Sequence, residues 1–370
     1  MRRRPRLKRL SFFCGRLHTL EEKYSPEQGH GPVFVVGMWR SGTSLFYALL
    51  NQHPQIKLMY EDELPLLWPL FLGKAKRDWP ERWEFWNQAP SRHKLNLDDL
   101  PRDVSGLREA CEAAWAQYAP GAAIRGAKSP SYFDCLPRIA KEFPNAKFLV
   151  LWRDPADVCR SVVRAGSDSF FAKRGMVLRA LLGCRDLKNG YDTLAASGAQ
   201  VYPVQYEDLV ANPAAVMQGV CSFLEIEFDR RMVSLKDADR SAIYDGGHHE
   251  MVNSEKIVAG KKKPEVLPED IRHKVATYIA YWKQESGGSW PHYPESSDAA
   301  PGAMFFFERL VDRIAYRSLR AFDQGVVLIY SYLPIGILRK YRASKGRATA
   351  DALELRHAAE KELVTASQKQ

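Results

Sequence analysis

The chain predicts an α/β fold with a mainly parallel sheet, and three strand-then-helix units carry that prediction. They are "PVFVVG" before "TSLFYALLNQ", "KFLVLW" before "DPADVCRSVVRAG", and "AQVYPVQYEDL" before "NPAAVMQGVCSFLEI". In each, a short apolar, β-branched run suited to a strand buried on both faces is followed by a segment with helical spacing. Strands alternating with helices in this way build parallel sheets.

The first strand ends in glycine, and the helix from Thr43 places Leu45, Leu49 and Leu50 on one stripe before stopping at His53-Pro54. Residues 65 to 95 are rich in Trp and Pro, lack a period, and are expected to form an irregular wall or lid. "SGLREACEAAWAQYA" is expected to be a helix capped by Ser105, with Glu109 near its first turn. "AAIRGAKSP" predicts a short strand running into a loop, and "DCLPRIAKEFPNA" a helix stopped by Pro144. In the second unit Asp154 caps a helix whose first position is Pro155. "LPEDIRHKVATYIAYWKQESG" is a late amphipathic helix that closes the core near residue 290. The expected organisation is a basic arm over 1–30, the main domain over 31–290, a linker over 291–303 and a helical extension over 304–370.

With 370 residues the chain can bury a full core, and its formal net charge of +10 favours an anionic partner. Part of the excess is local, since "MRRRPRLKRL" holds six basic residues in ten. No nucleic-acid recognition module accompanies the charge, so nucleic acid is not expected as the partner. The six cysteines are scattered without a CxxC pair, so reduced thiols in a cytoplasm are the default expectation. No signal-type apolar region follows the basic arm, and no window reaches the roughly 18 apolar residues of a membrane span.

"FVVGMWRSGTSLF" has the glycine spacing of a phosphate-binding loop, Gly37 and Gly42, but the next position is Thr43 where a nucleotide phosphotransferase has lysine. Strand, glycine turn and helix N-terminus still make an anion trap, because backbone N–H groups converge there and the helix adds about half a positive charge. Arg40 moves the cationic side chain to a position beside the trap.

"GMWRSGTSLFYALLNQHP" resembles the 5′-phosphosulfate-binding loop of PAPS-dependent sulfotransferases, in the branch with "RSGT" that includes protein-tyrosine and bacterial enzymes. The resemblance covers about residues 31 to 285 and implies a P-loop NTPase-like three-layer sandwich. It implies PAPS as co-substrate, with Arg40, Ser41, Gly42, Thr43 and Ser44 around the donor sulfate, and no metal. It also implies a second anion site for the 3′-phosphate, and "KFLVLWRDPADVCRSVV" supplies Arg153 and, eight residues later, Ser161. Tyr206, in "VQYEDL", matches the tyrosine that approaches the adenine. Lys256 and Lys261 stand where the family carries a late phosphate clamp, although the family's signature is absent there.

The same branch places a glutamate base 21 residues after the loop arginine, which here is Glu61; Glu63 competes with it. Lys128 matches a basic residue near the transferred group. His53 is expected to be a turn residue, and His248-His249-Glu250 lacks a third ligand at metal-binding spacing. The acceptor would be a hydroxyl or amine on a carbohydrate, lipid, phenol or tyrosine. Two other classes stay open on sequence: a degenerate P-loop phosphotransferase, and a non-catalytic protein that holds an adenine nucleotide or a membrane.

In the tail, Phe307, Leu310, Val311 and Ile314 fall near one face, and Ser318 interrupts the stripe. Two outcomes are expected of this segment. Either it packs on the main domain or on a second subunit in a homodimer, or it lies peripherally on a membrane, at the inner face if the protein is cytoplasmic.

Overall fold

The computed structural model describes residues 31–73, 76–165, 171, 175–243, 257, 267–285, 301–341 and 343–344. In chain order the elements are β1 (Val33–Gly37), α1 (Thr43–Leu50), β2 (Ile56–Tyr60), α2 (Trp79–Asn87), α3 (Leu107–Tyr118), β3 (Ile124–Lys128), α4 (Leu136–Glu142) and β4 (Lys147–Trp152). They continue with α5 (Pro155–Arg164), α6 (Met176–Ala196), β5 (Gln200–Gln205), α7 (Tyr206–Ala211), α8 (Pro213–Leu224), α9 (Glu269–Glu285) and α10 (Ala303–Tyr332). A final helical piece, α11, covers Ile335–Tyr341.

Among the described residues the strands form one sheet in the order β2-β3-β1-β4-β5, with every neighbouring pair parallel. Helices cover both faces, so the architecture is a three-layer α/β sandwich. The alternation along β1 shows why both faces must be apolar. Phe34 and Val36 enter one core with residues of α3, α4 and α6, while Val33 and Val35 enter the other with residues of α1 and α8.

A parallel sheet collects its functional loops at the carboxyl ends of its strands. Gly37 at the end of β1 pairs with Leu151 of β4, and Val35 pairs with Lys128 of β3. Tyr60 pairs with Lys128, and Trp152 with Gln205. The segments beginning at residues 38, 61, 129, 153 and 206 therefore leave the sheet at one edge, side by side.

The strands over 33–37, 124–128, 147–152 and 200–205, the Asp154 cap and the late helix α9 agree with the sequence expectation. Asp154 accepts from the N–H groups of Ala156 at 2.6 Å and Asp157 at 3.3 Å. Several details differ. "IKLMY" forms β2, an edge strand with no helix of its own to advertise it. The 65–95 stretch is more regular than its composition suggested: a 3₁₀ segment over Leu64–Phe71, α2, and one turn over Ala89–Arg92. Its order comes from burial of Trp79 and Trp83, one helical turn apart on α2. Gly106, not Ser105, precedes the first turn of α3; the Glu109 carboxylate instead reaches back to the Ser105 N–H at 2.6 Å. The 21-residue α6 completes the layer beside β4 and β5.

The C-terminal helix α10 lies on this domain. Asp312 bonds Lys274 at 2.9 Å and Tyr278 at 3.0 Å on α9. The Tyr316 hydroxyl donates to Asp186 at 2.6 Å, Arg320 pairs with both Asp134 and Asp186, and Arg82 of α2 donates to the carbonyls of Tyr330 and Leu333.

Gly126 marks the tightest contact inside the sheet. Its φ is 148°, and a Cβ there would sit 2.0 Å from the Val33 carbonyl oxygen of the neighbouring strand. Gly126→Ala should therefore force β3 off β1, costing on the order of 3 kcal/mol and lowering Tm by roughly 5–10 °C in a thermal melt. An unchanged Tm would mean that the two strands have room to separate.

Candidate active site

The loop after β1 turns twice through left-handed backbone, at Arg40 (φ 69°) and Gly42 (φ 98°). Glycine is required at 42 for a second reason: a Cβ would fall 2.4 Å from the Tyr206 ring. Gly37 is similarly hemmed in, its missing Cβ lying 2.6 Å from Ser41 Oγ and 2.8 Å from the Leu151 carbonyl. The loop thus wraps closely around the N-terminus of α1, where Thr43 and Ser44 occupy the first helical positions.

Arg40, Arg153 and Ser161 meet at this loop. Arg153 NH1 donates to the Arg40 carbonyl at 2.8 Å, and Arg40 Nε donates to Ser161 Oγ at 3.1 Å. The two sequence-predicted anion sites are therefore contiguous. The Arg153 guanidinium lies over the Tyr206 ring, 4.4 Å from its centroid, and Arg40 lies over Phe171 at 5.5 Å. Tyr206 thereby supports both the loop and the arginine. Ser41 Oγ and Arg153 Nε are buried and, among the described residues, meet no hydrogen-bond partner. Orphan donors of this kind carry a desolvation cost that an anion between them would remove.

Facing the loop is the carboxylate segment after β2. Lys128 Nζ, fully buried, donates to Glu61 Oε1 at 2.8 Å and to Ser44 Oγ at 3.3 Å. The Tyr60 hydroxyl lies 2.8 Å from Ser44 Oγ, and the Tyr60 ring sits 3.7 Å from the lysine nitrogen. Burial lowers the Lys128 pKa, and the Glu61 charge opposes that shift. One chain of contacts, Glu61 to Lys128 to Ser44, thus ties the candidate base to the anion loop.

Glu61 and Glu63 both adopt left-handed backbone, with φ of 50° and 53°, and the buried Asp62 lies between them. Asp62 accepts from the Tyr132 hydroxyl and from Trp115 Nε1, and burial lifts its pKa to about 6. Carbonyls of this segment are held from α2 and the turn after it. Asn87 donates to those of Glu61 and Asp62 at 2.9 Å each, Trp83 to that of Asp62 at 2.6 Å, and His93 to that of Tyr60 at 3.0 Å. Burial keeps His93 neutral, with its pKa lowered to about 4. The two glutamates are thereby separated in direction: Glu61 faces Lys128, whereas Glu63 accepts from Ser131 Oγ at 2.9 Å.

Tyr60, Phe171 and Asn87 were not singled out from sequence. Tyr60 had a signal, since it ends a strand directly before Glu61; Asn87 and Phe171 had none, because each reaches the site from a distant segment. Lys256, Lys261 and the His248-His249-Glu250 run lie outside the described residues, and His53 bonds the Glu227 carbonyl at 2.9 Å, away from the loop.

The Sulfotransferase family model matches residues 32–230, more than half of the chain, so the chain belongs to that family. It is 26% identical to protein-tyrosine sulfotransferase 1 of Danio rerio over 211 residues, 53% of this chain and 54% of that protein. It is 28% identical to the nodulation protein NoeE of Sinorhizobium fredii over 210 residues, 52% and 49% of the two chains. The chain thus spans about half the length of these curated relatives. The sulfotransferase domain from the curacin biosynthetic pathway aligns with 68% of this chain and 97% of that one, at 19% identity and a TM-score of 0.49.

The Glu63 environment gives a stability test. Burial, and next the Glu61 charge, raise its pKa from 4.5 to about 7. Folded Glu63 keeps a proton that the unfolded chain releases above about pH 4.5, so this site loses stability as pH rises through that window. Glu63→Gln should gain on the parent between pH 4.5 and 7, by up to about 3 kcal/mol. Melts at several pH values would show this as a growing Tm difference; a flat difference would mean Glu63 is ionised throughout.

Proposed function

We propose that this enzyme moves a sulfuryl group from PAPS to a hydroxyl acceptor, with Glu61 as the base. The observation that carries the reading is the junction of Arg40, Arg153 and Ser161 beside the buried orphan donors Ser41 Oγ and Arg153 Nε. A donor with two anionic groups suits two contiguous cationic positions. Family membership supports a sulfate donor, and the family's 3′-phosphoadenylyl sulfate fits the paired sites.

PAPS, when bound, supplies an activated sulfuryl group on a good leaving phosphate. Transfer of this kind is a loose in-line displacement, so fixed donors that meet the developing charge do most of the work. The N-terminus of α1, Ser41, Thr43 and Ser44 supply such donors, and Arg40 adds a charge that cannot titrate away. Arg153 and Ser161 would hold the 3′-phosphate.

Glu61 takes the acceptor proton as the new O–S bond forms, and the S–O bond to the departing phosphate breaks with its electron pair going to that phosphate. Lys128 aims the carboxylate toward Ser44 and the loop. Glu63 is taken up by Ser131, whereas Glu61 is joined through Lys128 to Ser44 of the loop, which favours Glu61 for the role. A hydroxyl acceptor accords with the name of the protein-tyrosine relative.

Two variants test this. Arg153→Ala should weaken PAP binding at least about tenfold more than binding of APS, which lacks the 3′-phosphate, in calorimetric titrations. Equal losses would mean that Arg153 serves only to hold the Arg40 carbonyl. Glu61→Gln should lower kcat by a factor on the order of 10² to 10⁴ and leave PAP affinity nearly unchanged. Normal turnover by that variant would remove Glu61 as the base.

A further inference from the structure

The polarity of α10 is inverted relative to an ordinary surface helix, which turns its apolar stripe inward. Its inward face is fixed largely by charged and hydroxyl groups: Asp312, Tyr316, Arg320 and Asp323, spaced by four, four and three residues, each bond the domain beneath. The opposite face carries Met304, Phe307, Leu310, Ile314, Phe322 and Ile329, all exposed, with Phe307 at 63% and Phe322 at 70%. At 100° per residue these fall within an arc of about 140° that contains no charged side chain along the whole helix. Thirty residues make the helix about 45 Å long, and the strip from Met304 to Ile329 runs about 38 Å of it.

Charge borders the strip on one side. Arg313 and Arg317 are exposed along one long edge, and Arg339 and Lys340 are exposed on α11, which turns away at 118° and exposes Ile337 and Tyr341. The exposed acid beside the strip on α10 is Glu308. No single helix among the described residues is long and apolar enough to cross a membrane. An apolar strip interrupted only at Ser318 and edged by arginine has the chemistry of a helix lying in the headgroup region, about 5–10 Å deep, with cations at the phosphate level.

We infer that the outward face of α10, continued by α11, docks the enzyme on the surface of an anionic lipid bilayer. The charge pattern favours a bilayer over an antiparallel second copy of the chain, because such a symmetric partner would bring the same arginine edges together. This inference does not depend on the sulfuryl-transfer reading, and its test measures binding, not turnover.

The test is flotation of the full chain with vesicles of phosphatidylcholine alone or with about 30 mol% phosphatidylglycerol, at low and high salt. The parent protein should float with the anionic vesicles at low salt and much less with the neutral ones. The double variant Ile314→Glu, Ile329→Glu should show a bound fraction about tenfold lower, with unchanged circular dichroism. Both positions are exposed, so folding should survive; Arg313→Gln with Arg317→Gln provides an independent variant that should lose the preference for anionic lipid. A parent protein that stays at the bottom of every gradient would overturn the inference. So would a double variant that floats like the parent. A dimer in sedimentation that the glutamates dissociate, without any vesicle binding, would assign the face to a second copy instead.

Discussion

The left-handed turn at Arg40 and Gly42 is the constraint on which the rest of the site depends. An arginine at positive φ costs on the order of 1 kcal/mol, so the surrounding structure must over-determine it. It does so from two strand ends and a helix. Arg153, following β4, captures the Arg40 carbonyl; Tyr206, following β5, fills the space where a side chain at 42 would project; Ser161 on α5 accepts from the Arg40 side chain. Because the strands are parallel and in register, all of these groups arrive at one edge without long detours. The same contacts aim the cations inward, which links backbone strain to anion binding.

A second strained turn faces the first. Glu61 and Glu63 are held left-handed by donors from Trp83 and Asn87 on the carbonyls between them and from His93 on the Tyr60 carbonyl just before, and Asp62 is anchored by Tyr132 and Trp115. The Trp-rich stretch whose composition predicts an irregular wall or lid is, in three dimensions, mostly the scaffold of this turn. Lys128 joins the two turns at β3, where its burial is tolerable because Glu61 and the Tyr60 ring receive its charge. A neutral residue there would leave the carboxylate without its guide toward Ser44.

The C-terminal helix extends the same economy of polar anchoring to the outside. Its inward ion pairs sit over groups of α6, α9 and the turn before α4, so the helix is oriented by charge matching more than by apolar burial. Such pairs fix rotation well because a half-turn slip would leave buried charges without partners. The consequence is that the apolar strip is presented outward in one defined orientation.

The sequence by itself determined the alternation of strands and helices, the glycine-bounded loop at 37–42, the cap at Asp154, and the sulfotransferase resemblance. All of these are local: a φ requirement, a capping side chain or a periodic apolar run is written within a few residues. It could not rank Glu61 against Glu63, because the two share composition and neighbourhood and differ only in which side of a left-handed turn they leave. It gave no hint of Asn87 or Phe171, whose roles arise when α2 and the segment after α5 fold back on the strand ends. The stripe at Phe307, Leu310, Val311 and Ile314 was visible from its period, but periodicity cannot say which face turns inward. That was decided by Asp312, Tyr316 and Arg320 finding partners up to 186 positions away in Asp134, Asp186, Lys274 and Tyr278, because only tertiary packing brings such charges within hydrogen-bonding reach.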